Sequence, residues 1–322
     1  MKGLTDIPGI RVGHISDYDA LTGCTAILCE GGAAGGVDIR GSATGTEETP
    51  TLDPGHVTGQ VHGILLAGGS AFGLEAASGV RRYLEHRGVG FDTGAAKVPI
   101  VAAAILYDLA IGKASVRPNA AMGEAAAAAA SDAPVPEGCV GAGTGATVGK
   151  LFGMKQAMKS GVGSFTVSLP GGVLVSSLVA VNAFGDVRDP ATGKILAGAR
   201  RSPESREFAD TEGQMKRGPS RGGFGARNTT LAVVATNAKL SKVEATKLAQ
   251  QAGLGLARTI YPVNTMFDGD IVFALSIGER QLDINVLGVA AAEAVAQAIV
   301  RAVRLSKPLG GVPGLGLGPA QY

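Results

Sequence analysis

Residues 228–238 read Asn-Thr-Thr-Leu-Ala-Val-Val-Ala-Thr-Asn-Ala, and the chain before them has the opposite character. From Asp186 to Asn228 it is polar, rich in Arg, Gly, Ser and Glu, interrupted by Pro190, Pro203 and Pro219, and without periodicity. A stretch of about forty residues of this kind is uncommon inside a compact domain and is usually functional or a linker. Thr229–Thr236 is then an apolar, β-branched run, which predicts a strand whose first residue is a threonine at the end of a polar loop.

Outward from this junction the pattern mixes strands and helices. Ser241 is a helix N-cap for residues 242–257, Ile271–Ser276 predicts a strand, and Gly288–Val303 predicts a helix with a broad apolar face. Upstream, Val162–Leu169 and Val173–Phe184 flank Pro170-Gly171-Gly172 and predict a hairpin. In the first third, Cys24–Glu30 and Val61–Gly69 predict buried strands, and Gly73–Gly88 a helix capped by Gly88. The Ala-rich segments Pro99–Ile111 and Asn119–Ala130 predict two further helices. No internal repeat is present.

Composition narrows the function classes. With 45% hydrophobic residues the chain can bury a large core, and a net charge of +2 without any Lys/Arg run argues against a nucleic-acid surface. Met1–Gly9 lacks a signal-peptide apolar stretch, and no window of about 18 uninterrupted apolar residues predicts a membrane span. Cys24, Cys29 and Cys139 lie in apolar runs and predict buried thiols in a reducing, cytoplasmic setting.

Familiar motifs fail on inspection. Val148-Gly149-Lys150 resembles the end of a phosphate loop, but Thr144 stands where a glycine is needed and Leu151 where Ser or Thr is needed. Gly141, Gly143 and Ala146 fit a loose dinucleotide pattern with no acidic residue at the expected distance. Gly68-Gly69-Ser70-Ala71-Phe72 has Phe72 where a nucleophile elbow requires glycine. His14, His56, His62 and His86 have no triad or metal-ligand spacing, so neither metal nor cofactor is expected. Each reads as a surface or packing residue.

Asn228-Thr229, Lys150, Asn182 and the pair Asp268/Asp270 remain. Singly each is bland: a strand start, a solvated lysine, a strand amide, a turn. Together they suit one chemistry. A threonine at a chain N-terminus can use its own α-amine, with a pKa near 8, as general base, so no histidine is required. A nearby Lys⁺ favours the neutral amine, carboxylates orient amine and hydroxyl, and an Asn amide is a suitable oxyanion donor.

At these residues the chain resembles the L-aminopeptidase/D-esterase (DmpA-like) family of N-terminal-nucleophile hydrolases, which also contains the nylon-oligomer (6-aminohexanoate oligomer) endohydrolase. The resemblance runs through LTDIPGIRVGH (4–14), ILLAGGSAFGLEAASGV (64–80), VAVNAFGDV (179–187), NTTLAVVATNA (228–238) and MFDGDIVFALS (266–276). It implies an α+β fold, an αββα sandwich of two mostly antiparallel sheets between helix layers, forming one domain cut by autoproteolysis into residues 1–228 and 229–322. It further implies Thr229 as nucleophile, Asn228 as the new C-terminus, Asn182 in the oxyanion hole, and Lys150, Asp268 and Asp270 as active-site groups. The Asp-x-Asp pair, where aminopeptidase members carry Ser-x-Glu, matches the endohydrolase branch. Tyr107 is similarly implied as an active-site residue, and Ser70, Phe72 and Phe267 complete a mixed apolar substrate pocket. The expected partner is a small peptide or amide substrate, within a homo-oligomer that the family implies is a tetramer of cleaved chains. The alternatives are an aminopeptidase or D-amino-acid esterase-amidase of the same family, a catalytically silent small-molecule-binding protein of the same fold, and an acyl transferase. The silent member should have lost one of the residues above, and the acyl transferase carries a different cleavage-site signature.

Overall fold

The computed structural model describes residues 2–218 and 228–317. Eight main strands, β1 (Arg11–Asp17), β2 (Thr22–Ile39), β3 (Val61–Ala67), β4 (Val101–Ile105), β5 (Val162–Leu169), β6 (Val173–Asn182), β7 (Thr229–Ala238) and β8 (Ile271–Arg280), combine with four main helices. The helices are α1 (Ala76–His86), α2 (Ala120–Ala128), α3 (Lys242–Ala257) and α4 (Ile284–Arg304). The strand path is β5-β6-β7-β8-β2-β3-β4, with Thr46–Glu47 beyond β4 and β1 on β2. Only β7/β8 and β3/β4 run parallel; the other pairs of main strands are antiparallel.

β2 joins the two sheets. Its Ala34–Ile39 half pairs with β8 and its Cys24–Leu28 half with β3, across a register shift after Leu28. Such an irregularity lets a long strand change sheets. Side-chain alternation then sorts the core into three layers. Ile27, Ile64, Leu66, Ala102 and Ala104 face Leu178, Leu231, Val233, Ile271 and Phe273 between the sheets. The opposite faces of β6–β8 meet α3 and α4 through Val179, Ala232, Val234, Val272, Leu248, Val295 and Ile299. The opposite faces of β2–β4 meet α1 and α2 through Leu28, Leu65, Ala103, Val80, Leu84 and Ala126. Because both faces are covered, these strands are apolar runs without alternation. The layer order is the expected αββα sandwich.

The small residues serve close approach. A Cβ on Gly79 would lie 1.9 Å from the Ala120 carbonyl oxygen, and one on Gly123 1.9 Å from that of Ala76. α1 and α2 therefore meet backbone to backbone, which a larger side chain at either position forbids. α4 is long and apolar enough to cross a bilayer by composition, but 72% of that window is buried against the rest of the chain.

Three expectations need correction. Pro99–Ile111 is not a helix: Val101–Ile105 is a strand parallel to β3. Its alanines favour helix locally, but full burial on both faces, with Val101 and Ile105 as β-branched ends, lets tertiary pairing prevail. The segment after Asp186 is not structureless either: Asp186–Arg188 pairs with Ile195–Ala197 and Ile260–Tyr261, and Thr211–Lys216 is a short helix. Buried Asp186 organises it, accepting from Ala199 N (2.8 Å), Thr211 N (2.7 Å) and Thr211 Oγ1 (2.7 Å). The part of this polar stretch at 219–227, just before Asn228, lies outside the described residues. Cys139 is half-buried, unlike Cys24 and Cys29, whose thiols burial pushes up to about 12. Of the histidines, His14 and His62 do prove to be packing residues, bonded to Thr25 Oγ1 and Ile100 N.

Candidate active site

Strand register assembles the site at one end of the second sheet. The β6/β7 pairing sets Asn182 opposite Thr229. On the other side β7 runs parallel to β8 with Leu231 beside Ile271, and one further bridge joins Asn228 to Asp268. Neighbouring strands thus carry the amide, the hydroxyl and both carboxylates to one place. All are buried: Asn182 is 0% exposed, Asp268 1%, Thr229 and Asp270 2%, and Asn228 3%.

Lys150 reaches the same place from a loop. The loop runs alongside the chain after β6, with Gly149 N donating to Gly185 O (3.1 Å) and Lys150 N to Phe184 O (3.0 Å). Lys150 Nζ donates to Asn182 Oδ1 (2.7 Å) and to the Asn182 carbonyl (2.9 Å). Burial lowers this ammonium to about 7, against the opposing pull of Asp268. Asn182 Oδ1 also accepts from Thr147 N (3.1 Å), and its Nδ2 donates to the Tyr107 carbonyl (2.9 Å). The asparagine is therefore locked in one amide orientation.

The carboxylates are held by backbone donors. Asp270 accepts from Thr230 N (2.6 Å) and Asn264 N (3.0 Å). Burial, and then the adjacent Asp268 charge, push it up to about 7. Asp268 accepts from Phe184 N (3.2 Å) and from Thr265 N and Oγ1 (3.2 and 2.5 Å), and burial raises it too. Burial thus lowers the lysine and raises both aspartates, the pattern of perturbed buried groups found at functional sites.

The bond between Asn228 and Thr229 lies in the centre. The Thr229 hydroxyl donates to the Asn228 carbonyl oxygen at 2.5 Å, and Gly269 N donates to the same oxygen at 2.8 Å. Asn228 Nδ2 donates to the Phe267 carbonyl (3.2 Å), while its buried Oδ1 has no partner among the described residues. A Cβ on Gly269 would come within 2.8 Å of Thr229 Oγ1 and 2.6 Å of Ala43 O, so only glycine leaves the hydroxyl its space.

The expected substrate-pocket residues divide. Phe267 packs against Phe184, ring centroids 5.7 Å apart, next to Asp268. Tyr107 touches the cluster through its carbonyl. Ser70 is at the outer end of the same region, its N donating to Leu106 O (3.0 Å) and its φ of +54° fixing a tight turn. Phe72 is 58% exposed, with the Arg117 guanidinium 4.0 Å from its ring centroid, so its ring lies at the surface.

Sequence reasoning passed over three participants. In sequence Gly269 is only the middle of a turn, and Thr265, just before the two aspartates, belongs to no motif. Asp108 was also missed: it accepts from Gly69 N (2.7 Å) and Thr22 Oγ1 (2.8 Å), fastening the Ser70 turn to the segment that carries Tyr107. Burial pushes Asp108 up to about 6.

Comparison with known proteins identifies the family. Residues 2–315 match the model of peptidase family S58. An uncharacterized aminopeptidase of Mycobacterium tuberculosis is 41% identical over 97% of this chain and 96% of its own. The 6-aminohexanoate-oligomer endohydrolase of a Kocuria species is 33% identical over 86% and 75%. Among solved structures, a Burkholderia β-aminopeptidase superposes with a TM-score of 0.68 at 25% identity, covering 99% of this chain and 92% of that one. The L-aminopeptidase D-Ala-esterase/amidase of Ochrobactrum anthropi, an Ntn-hydrolase fold, superposes with a TM-score of 0.71 at 20% identity, covering 97% and 88%, and this likeness bears on the fold alone. The chain is a hydrolase acting on amide bonds and belongs to peptidase family S58.

Proposed function

We propose that the chain cuts itself between Asn228 and Thr229 and then hydrolyses small peptides or ω-amino-acid amides with Thr229 as N-terminal nucleophile. The observation that carries the proposal is the buried Thr229 hydroxyl, bonded to the Asn228 carbonyl oxygen and surrounded by Asn182, Asp268 and Asp270, with Lys150 on Asn182. In self-cleavage the Thr229 Oγ1–C bond forms, the C–N bond breaks, and the hydroxyl proton ends on the released nitrogen. Water opens the resulting ester. In turnover the free α-amine takes the hydroxyl proton and returns it to the leaving amine. The second Nδ2 hydrogen of Asn182 is the donor for the oxyanion, and Lys150 on Asn182 Oδ1 strengthens that donor.

A second reading, cleavage of single residues from peptide N-termini, is favoured by the higher identity to the mycobacterial aminopeptidases. The two differ in the need for a free α-amine on the substrate. Intact-mass measurement on freshly purified protein tests the shared step: two species, residues 1–228 and 229–322, are expected. A chain that remains whole after prolonged incubation overturns it. N-acetylated and free peptides, compared as substrates, separate the two readings.

A further inference from the structure

Resting on that proposal, we infer that the Gly269 N–H is a second oxyanion donor beside Asn182, in self-cleavage and again in turnover, and that residues 40–43 are the strap that aims it. The acceptor of this N–H is the carbonyl oxygen of the scissile bond itself, at 2.8 Å. As Thr229 Oγ1 bonds to the Asn228 carbonyl carbon, the π pair of that carbonyl moves onto this oxygen. On collapse the pair returns, the C–N bond breaks, and the hydroxyl proton goes to the released nitrogen. A backbone donor already fixed where the charge develops needs no reorganisation at that moment. The same bond extends the ladder between β7 and β8 through the bridge of Asn228 with Asp268, so a reacting donor has to be told apart from ladder support.

The strap distinguishes this contact from an ordinary ladder bond. Just after β2, Arg40 N and Gly41 N both donate to Asp270 O (3.1 Å each), and Ala43 N donates to Asp268 O (2.9 Å). The Asp268 carbonyl and the Gly269 N–H belong to one planar peptide group, so holding the oxygen fixes the direction of the hydrogen. The two bonds form a relay from Ala43 N–H through that peptide to the Asn228 carbonyl, and each bond in such a chain polarises the next. Two glycines permit the approach. A Cβ on Gly41 would lie 2.2 Å from Asp270 N and 2.4 Å from Asp268 O, both backbone atoms that cannot swing aside. Gly41 is outside the left-handed region, so its requirement for glycine is one of space alone. A Cβ on Gly269 would lie 2.6 Å from Ala43 O and 2.8 Å from Thr229 Oγ1, which sets the strap beside the nucleophile.

Self-cleavage rates of full-length chains, measured per folded molecule well below the melting transition, test this. Replacing the Asp268–Gly269 amide by an ester deletes the N–H and adds no group. Cutting should slow by about 10²–10³-fold, the worth of one oxyanion donor. Gly41→Ala keeps the donor but drives a methyl group into the peptide that carries it. It should slow cutting on the order of a hundredfold, the cost of about 1 Å of misplacement. If that chain does not fold, an ester at the Ser42–Ala43 amide, which deletes only the bond to Asp268 O, takes its place and should also slow cutting. Gly45→Ala is the control: its Cβ meets only Ile105 side-chain atoms, at 2.7 and 2.8 Å, so Tm should fall and the rate should not. Molecules that do become cut should show a lowered kcat on a peptide amide with KM little changed, which lost fold support does not produce. Wild-type cutting by the Asp268–Gly269 ester reduces the bond to ladder support and overturns the donor role. Wild-type cutting by the strap variant, or equal slowing in Gly45→Ala, overturns the strap. A wild-type chain that itself stays whole removes the proposed function instead, which distinguishes the two failures.

Discussion

Each sheet contains one strand–helix–strand unit, and the two units differ in where polarity is buried. In the first, β3 and β4 pair in parallel with α1 between them in sequence; in the second, β7 and β8 do so around α3. β3 begins at Val61, and β4 is buried apolar residues throughout. The second unit begins its strands at Asn228-Thr229 and Asp268-Gly269-Asp270, all but the glycine polar and all buried. Burying such groups is costly unless each finds partners. Among the described residues all but Asn228 Oδ1 find them, in donors such as Thr230 N, Asn264 N, Phe184 N and Gly269 N, a concentration that packing alone does not call for. The first unit supports the fold, and the second also holds reactive groups.

The comparison breaks most sharply at Thr229. Thr229→Ala removes one hydroxyl from the second unit and should leave a single uncut chain with no measurable amidase activity, while melting remains cooperative. A processed Thr229→Ala chain, seen by intact mass, would remove Thr229 from the reaction. Next comes Asn182→Ala, which deletes the proposed oxyanion donor and should cost about 2.7–4 kcal/mol of barrier. The readout is kcat on the cleaved enzyme, with Tm recorded because Tyr107 O and Lys150 Nζ lose a partner. A near-wild-type kcat takes the oxyanion role from Asn182.

Asp270 sharpens the comparison through pH. Both of its oxygens accept backbone N–H groups, so Asp270→Asn should turn one acceptor into a donor facing a donor, a loss of about 1.5–3 kcal/mol. Its folded proton affinity is raised to about 7, so the unfolded chain ionises first as pH rises from 4. Native Asp270 therefore loses stability between pH 4 and 7, whereas Asn does not titrate. On the uncut Thr229→Ala background, the Tm deficit of Asp270→Asn should be largest at pH 4 and narrow steadily to pH 8. A deficit that widens with pH contradicts burial as the source of the shift.

The same contrast explains what was legible in sequence. β7 could be read because polarity changes at one residue, and α3 because Ser241 caps it, a cap that the structure completes with Glu244 as a capping box. β4 could not: a run of Val, three alanines and Ile, buried on both faces, has no period to separate strand from helix. Thr229, Lys150 and the two aspartates could be suspected as residue types, but the placement of Asn182 opposite Thr229 depends on a long-range register that local pattern does not encode. Gly269 was invisible as a donor because its contribution is a backbone N–H, which every residue but proline owns.

The smallest effect tests the first unit from inside. Ile64 on β3 is fully buried in the core between the sheets, in the same cluster as Ile27, Leu66, Leu231 and Phe273. Ile64→Val removes one methylene and should cost about 0.5–1.5 kcal/mol of stability. Close-packed interiors transmit strain, so a core change can in principle reach a distant site. The register that sets Asn182 opposite Thr229, however, is fixed by the backbone ladders of β6 and β7, which one lost methylene in β3 leaves intact. The self-cleavage rate should therefore match wild type while the Tm falls by a few degrees. A rate that falls with stability would mean that both units position the scissile bond, and that the first has more than a supporting role.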